Sequence, residues 1–391
     1  MKRRLACIVA VSSISGAVHA QNSVTLYGIV DEGLTFNSNA KGNRQYALTS
    51  GNASGSRWGV RGVENLGGGL NAIFVLEGGF NASNGALGQN GDLFGRQVFV
   101  GLQSSQFGTL TMGRQYATAY EYVGGFSAGG DWAAPGAGYG AHPGDLDNLD
   151  GSFRVNNTVK YKSPSLYGAS IGAMYSLGGV AGDVTKNEIY SVGIGYAGAA
   201  ISAGAAYTFI KNPNFSFYGN KANDSASGSN MSGPVYNGYS TAGSQQIANI
   251  GGSYTYGIAT LSAVYSYVKF NGLGTIAVTG LTTPRYTGDV AFNVAEIGAK
   301  FHLTPALLVA GSYAYTKSSS VMGKSGAKYN QFDLGVDYSI SKRTDVYLTA
   351  VYQVASGHDS TGGNAVASIG FASPSSTNRQ LVTVAGIRHR F

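Results

Sequence analysis

Cysteine is nearly absent, with one in 391 residues. That excludes a disulfide framework and any multi-cysteine metal site. Charge is also scarce. Asp, Glu, Lys and Arg make up 12% of the chain, about half of the ~25% usual in soluble domains. There are 8 prolines and 2 tryptophans, against 26 tyrosines and 17 phenylalanines. Few charges beside many aromatics exclude a disordered polyelectrolyte. The formal net charge is +7, but the bases are spread along the chain without a dense patch, so no nucleic-acid partner is expected. Beyond residue 20 no stretch approaches the ~18 consecutive apolar residues of a transmembrane helix.

Glycine, at 60 residues, stands at about twice its usual ~7% share. The chain opens with Lys2, Arg3 and Arg4, followed by a mostly apolar or small run to Val18. Val18-His19-Ala20 has the small-x-small form cut by signal peptidase, so residues 1–20 are expected to be a signal peptide. The apolar run is too short for a membrane anchor. Cys7 lies too near the start to accept a lipid, because no hydrophobic segment precedes it. Cleavage removes three positive charges and the only cysteine, leaving +4 and an exported chain over residues 21–391.

The rest is written in alternation. Phe332, Leu334, Val336, Tyr338 and Ile340 interleave with Gln331, Asp333, Gly335, Asp337 and Ser339. Val346, Leu348, Ala350, Tyr352 and Val354 interleave with Asp345, Thr349 and Gln353. Leu70, Ala72, Phe74 and Leu76 repeat the pattern, as do Leu261, Ala263, Tyr265 and Tyr267. Period two means strands. Each segment is about ten residues long, enough to cross a bilayer as a tilted strand. A soluble sandwich is the alternative, but its strands run nearer 5–6 residues.

Two kinds of connection separate the segments. Short turns fall at residues 64–69, 104–108, 163–168, 196–200, 256–258, 303–305 and 341–343. Longer loops rich in Gly, Ser and Asn lie between them, including 212–243, 271–289 and 355–379. Seven short turns alternating with eight longer loops predict sixteen strands with both termini on one side. Outer-membrane barrels have this asymmetry. In lipid every backbone polar group needs an internal partner, so the sheet must close. The fold expected is all-β, a transmembrane antiparallel barrel of sixteen strands.

The motifs then carry a resemblance. Ser23-Val24-Thr25-Leu26-Tyr27-Gly28-Ile29-Val30-Asp31, Gly55-Ser56-Arg57-Trp58-Gly59, Glu64-Asn65-Leu66-Gly67-Gly68-Gly69-Leu70, Phe94-Gly95-Arg96-Gln97, Gly113-Arg114-Gln115 and Gly386-Ile387-Arg388-His389-Arg390-Phe391 resemble the general porins of β-proteobacteria. Order and spacing are kept over essentially the whole exported chain. The resemblance implies a homotrimer with water-filled pores for small hydrophilic solutes and ions, embedded in outer-membrane lipid and lipopolysaccharide. It also implies that Phe391 is the signal read by the outer-membrane assembly machinery. Glu32 departs from the pattern, where the family more often has a small residue; parity turns it outward, toward a subunit contact.

Residues 116–153 are too long for an ordinary loop. They hold the acids Glu121, Asp131, Asp145, Asp147 and Asp150 with many Gly and Ala. An external loop is one reading. Folding into the barrel to narrow it is the other, as the third loop does in the porins this chain resembles, and His142-Pro143-Gly144-Asp145 matches that family near the loop's end. Parity turns Arg57 and Arg61 inward opposite Trp58 and Val60. It likewise turns Arg154, Asn156, Thr158, Lys160 and Lys162 inward opposite Val155, Val159 and Tyr161, and Glu77 inward too. On the lipid face a charge would cost about 2–4 kcal/mol near the midplane. Arg96 and Arg114 break the alternation of their strands. The resemblance carries Arg57, Arg96 and Arg154 onto a basic cluster at the constriction, with Arg61 and Lys160 beside it. It carries Glu77 onto the acidic partner of that cluster, and the loop acids Glu121, Asp131, Asp145 and Asp147 are expected to face the basic residues across the lumen. A modest anion preference follows.

Enzymatic signals fail. Gly193-Ile194-Gly195-Tyr196-Ala197-Gly198 fits a dinucleotide fingerprint as a string, but no helical pattern and no acid follow where that chemistry needs them. Gly357-His358-Asp359-Ser360 puts triad residue types next to one another, where they cannot converge. His142, His302, His358 and His389 are widely separated, so neither metal nor cofactor is expected. The rival readings are a substrate-specific channel, and a barrel carrying a hydrolase or an adhesin.

Overall fold

The computed structural model describes residues 22–219, 226–228, 230–281, 285–320 and 322–391. The signal-peptide reading and Cys7 lie outside them. Seventeen strands form one antiparallel sheet: β1 (Ser23–Ala40), β2 (Asn43–Ser50), β3 (Arg57–Gly67), β4 (Leu70–Gly79), β5 (Gln97–Ser104), β6 (Gly108–Tyr116), β7 (Arg154–Lys162), β8 (Ala169–Ser176), β9 (Ile189–Ala197), β10 (Ile201–Lys211), β11 (Ser244–Tyr256), β12 (Ala259–Leu273), β13 (Gly288–His302), β14 (Leu307–Ser318), β15 (Lys328–Ser339), β16 (Thr344–Ser356) and β17 (Arg379–Arg390). The sheet closes where β1 pairs β17, from Ile29↔Arg390 to Asn37↔Val382. β2 pairs the outer half of β1 and β3 pairs its first half. They are one wall strand interrupted at residues 51–56, so the wall has sixteen positions among the described residues.

All seven short turns fall where alternation predicts them. The eight connections at the other end differ from expectation in one case. Between β1 and β2 there is only Lys41-Gly42, with φ of 53° and 105°, the left-handed pair that a two-residue hairpin requires.

The wall is polar inside and apolar outside. Leu334, Leu348 and Ile387 are 66%, 52% and 50% exposed, which in a bilayer means lipid contact. Their inward neighbours Gln331, Asp333, Gln353 and Asp345 are buried. The lumen is not empty. Residues 117–153 leave β6 and fold into the barrel, carrying two short helices, α1 (Thr118–Tyr122) and α2 (Ala128–Asp131). The main apolar cluster lies inside the barrel. Leu146, Tyr218, Tyr236 and Tyr239 from loops pack there on Ile189, Ile210, Ile247, Phe270, Phe292 and Tyr329 of the wall. That packing fills the lumen beside β9–β15, and open space remains beside β3–β7.

One parity assignment is overturned. Val155 does not face out; it is fully buried in the same cluster and bridges Tyr218. The cause is a bulge, with Gly113↔Thr158 followed by Gln115↔Val155, so that two residues of β7 oppose Arg114 alone. Asn157 there has φ of 53°. A bulge shifts the inside-outside count of everything beyond it.

Candidate functional site

The inserted loop crosses the lumen on a track prepared by the wall. Gly172, Gly193 and Gly195 face the Tyr122 ring, where a Cβ would stand within 3 Å of it, and a Cβ on Gly204 would meet the Tyr122 carbonyl at 1.9 Å. α1 can lie against β8–β10 only because those positions have no side chain. Further along, the Ala128 N–H donates to Glu296 of β13 at 2.6 Å, Asp131 pairs with Lys300, and Trp132 packs on Gly335 of β15. The loop then reaches the far wall. The N–H groups of Gly136 and Ala137 donate to the Asn52 carbonyl at 2.9 and 3.0 Å. That carbonyl belongs to the interruption at 51–56, which is pinned in turn by Asp31. The Asp31 carboxylate accepts from Asn52 and Ser54 N–H and from the Tyr347 hydroxyl.

The return leg is anchored by a buried triad. The His142 ring nitrogens lie 2.7 Å from Asp147 and 2.8 Å from Glu296. Burial pushes the imidazole down, but Asp147 and then Glu296 outweigh it and hold it well above the ordinary histidine value. Burial likewise pushes Asp147 up, and the facing imidazolium draws it below the usual carboxylate range. Asp145 accepts from the N–H groups of Asp150 and Ser152; burial and then the Asp147 carboxylate raise it to about 7.

Where the loop, the interruption and the β3–β7 wall meet, a cavity of about 420 Å³ is bordered by Arg57, Arg96, Arg154, Tyr116, Tyr120, Asp131 and Asp150. Arg96 precedes β5, so strand parity does not govern it. Its Nε donates to Glu77 at 2.8 Å and its other arm to the Tyr116 hydroxyl at 2.9 Å. Arg154 donates to the same hydroxyl at 3.0 Å and lies 4.9 Å from that ring's centroid. Arg57 donates to the Gly55 carbonyl. Tyr116 thus gathers two guanidinium groups at one oxygen, and the Gly55 segment holds the third.

The remaining expected residues are placed otherwise. Glu77 stands on the basic wall, bonded to Arg96 and to the Tyr27 hydroxyl, so it neutralises that wall from within. Arg61 faces the lumen nearer the β3–β4 turn, exposed, 5.6 Å from the Tyr27 ring centre and apart from the cavity. Lys160 is buried, donating to the Tyr116 carbonyl at 2.9 Å and to Glu121, so both support the loop's entry and neither borders the cavity. Asp145 and Asp147 are fully buried in the loop's own framework and present no charge to the path. Arg114 turns inward at the bulge and donates to the Gly95 and Gly219 carbonyls. Glu32 faces outward and accepts from Ser83 of the 80–96 loop. Tyr116, Tyr120, Glu296 and Lys300 were not singled out in the sequence. Parity alone would have turned Glu296 and Lys300 inward opposite Ile297.

Residues 5–358 match the Gram-negative porin family. An outer membrane porin protein of Bordetella pertussis is 32% identical, with 90% of this chain and 94% of that protein covered. Outer membrane porin protein 32 of Delftia acidovorans is 30% identical, with 89% and 88% covered. Among solved structures, an anion-selective porin from Comamonas acidovorans has a TM-score of 0.71 at 23% identity, covering 95% of this chain and all of that one. A trimer form of the Vibrio cholerae outer membrane protein OmpT has a TM-score of 0.63 at 16% identity, covering 95% and 99%. A closed wall with lipid outside and water inside needs only a narrowed lumen to become a sieve, and this chain, a member of the Gram-negative porin family, is an outer-membrane channel for small solutes.

Proposed function

We propose that solutes cross this channel by passive diffusion and that the constriction favours anions. The carrying observation is the border of the 420 Å³ cavity, where Arg57, Arg96 and Arg154 meet Asp131 and Asp150. Asp131 is already paired with Lys300, and burial and then Asp145 push the Asp150 carboxyl well up, so the balance at the narrowest point is positive. Guanidinium keeps its proton under such crowding because its pKa exceeds ~12. In a low-dielectric constriction fixed charge selects the ion. The Comamonas relative's description as anion-selective supports the same reading.

Assembly as a homotrimer is supported by the trimer form of OmpT. Phe391 serves assembly: its backbone exchanges hydrogen bonds with Gly28 at 3.0 and 3.1 Å, extending the seam beyond β17. Export proceeds through a signal peptide, residues 1–20, that is cleaved after Ala20.

A planar bilayer with a salt gradient tests the selectivity. Replacing Arg57 and Arg154 by glutamine, then Arg96 as well, moves the reversal potential stepwise toward cation preference. The shift is larger at low salt, since the Debye length falls from ~30 Å at 0.01 M to ~8 Å at 0.15 M. An unmoved reversal potential overturns the assignment of the arginines.

A further inference from the structure

The connection between β16 and β17 carries a residue that neither the barrel nor the ion balance uses. Phe371 has φ of 54°, in the left-handed region, where a bulky side chain is an outlier. Such a conformation is strained and persists only where its surroundings impose it. Here they do so from both sides. The Ser368 N–H donates to the Gln353 side chain of β16 at 2.6 Å, and the Ile369 N–H to the Gln380 side chain of β17 at 3.0 Å. Ile369 itself is buried in one cluster with Tyr139, Val351 and Val382. After Phe371, the Ala372 N–H closes the turn on the Gly370 carbonyl at 2.7 Å. Gly370 lies so near the inserted loop that a Cβ on it would stand 2.2 Å from the Gly138 carbonyl. Wall and loop together therefore fix the turn. Glycine at 371 would adopt it without strain, yet the chain places a phenylalanine there.

The strained turn presents the ring instead of burying it. Phe371 is 64% exposed, with one edge against Gly138, where a Cβ would meet the ring at 2.4 Å. It borders two spaces. One is the 420 Å³ cavity of Arg57, Arg96, Arg154 and Tyr120. The other, about 200 Å³, lies along the outer half of β1 and β2, lined by Asn37, Gln45 and Thr49 and by no charged side chain. The ring thus stands between a neutral outer space and the basic cluster. A small inorganic anion is drawn there by charge alone and makes no use of an apolar face.

We propose that Phe371 and the arginines form a docking site for carboxylates that carry an aromatic ring. The carboxylate is held by guanidinium donors, whose fork matches its two oxygens. The ring lies against Phe371 and Tyr120, offset or edge to face as aromatic pairs pack. The cavity falls within the ~300–1,000 Å³ range of small-molecule sites, so it admits such an anion. Contact with one exposed ring is weak enough to release the solute, as conduction requires. The inference rests on the constriction favouring anions, and adds to charge a second criterion, the ring.

Bilayer recordings of the folded channel in potassium chloride test it, with sodium benzoate and sodium acetate as probes. The concentration of each that halves the chloride current is read against the same channel's own unblocked current, so a change in conductance cancels. The ring contact is expected to bring the benzoate value to about a tenth of the acetate value. Phe371→Asn, which accepts the left-handed backbone and lacks the ring, brings the two values together, and Phe371→Tyr keeps them apart. Arg57→Gln with Arg154→Gln raises both. Wild-type channels that prefer cations in a salt gradient overturn the underlying reading of the constriction. Anion-preferring channels that benzoate and acetate block equally overturn the docking site alone, as does an undiminished difference in Phe371→Asn.

Discussion

Arg96 and Arg57 border the same cavity but are held differently, and replacing them has different consequences. The Arg96–Glu77 pair is buried, with side-chain exposures of 9% and 6%. Removing one partner of such a pair leaves an uncompensated charge and costs about 3–5 kcal/mol. Arg96→Met is therefore expected to lower the urea midpoint of the folded barrel substantially. Adding Glu77→Leu should recover most of the loss, while Arg57→Gln should change selectivity with little effect on the midpoint. His142 gives a second test, through pH. Its folded value lies well above 6.5, so its contribution is complete below pH 6.5 and fades as pH rises through the raised value. Asp147 is shifted down from 3.8, so its contribution is present above that pH and fades below it. The loop's anchorage is thus firmest in mildly acidic solution and weakens in alkali. Hydrogen exchange of residues 128–147 should accelerate as pH rises through the His142 value, after correction for the intrinsic rate, and His142→Gln should remove that step.

The inserted loop folds across the lumen, and its support shows what could be read beforehand. Removing residues 125–139 should raise single-channel conductance while the barrel persists, because the wall strands pair without it. An unchanged conductance would mean that the narrowest section lies elsewhere. Gly204→Leu should act oppositely to a neutral surface change. Its side chain would collide with the Tyr122 backbone, lifting α1 off the wall and altering conductance with β10 intact. Alternation and turn spacing made the strands and the loop's bounds legible, since lipid outside and water inside impose period two. It failed at Val155, where a bulge resets the count, and at residues 51–56, whose inward kink serves a loop far away in sequence. The loop acids illustrate the same limit. Asp145 and Asp147 differ from Asp131 only in the backbone and side-chain partners that folding brings to them, which spacing does not encode.

Among the described residues one ring of strand pairs holds the molecule, and the junction that joins its first strand to its last is β1 with β17. Deleting Phe391 removes the two backbone bonds to Gly28 and the ring that rests on that glycine. The yield of heat-resistant assembled protein in membranes should fall; equal yield with and without Phe391 would detach that residue from assembly. The seam has a further consequence, for the order of events in time. Hairpins can form as soon as both of their strands exist, but the seam joins strands from opposite ends of the sequence and must wait for the last of them. Until then the sheet is a ribbon with two bare edges, each a template for the wrong neighbour, and topologies with such distant pairings fold slowly. A chain cut short by a premature stop keeps both edges open indefinitely. An unclosed edge therefore distinguishes an unfinished chain from the finished barrel without any reading of its sequence or length.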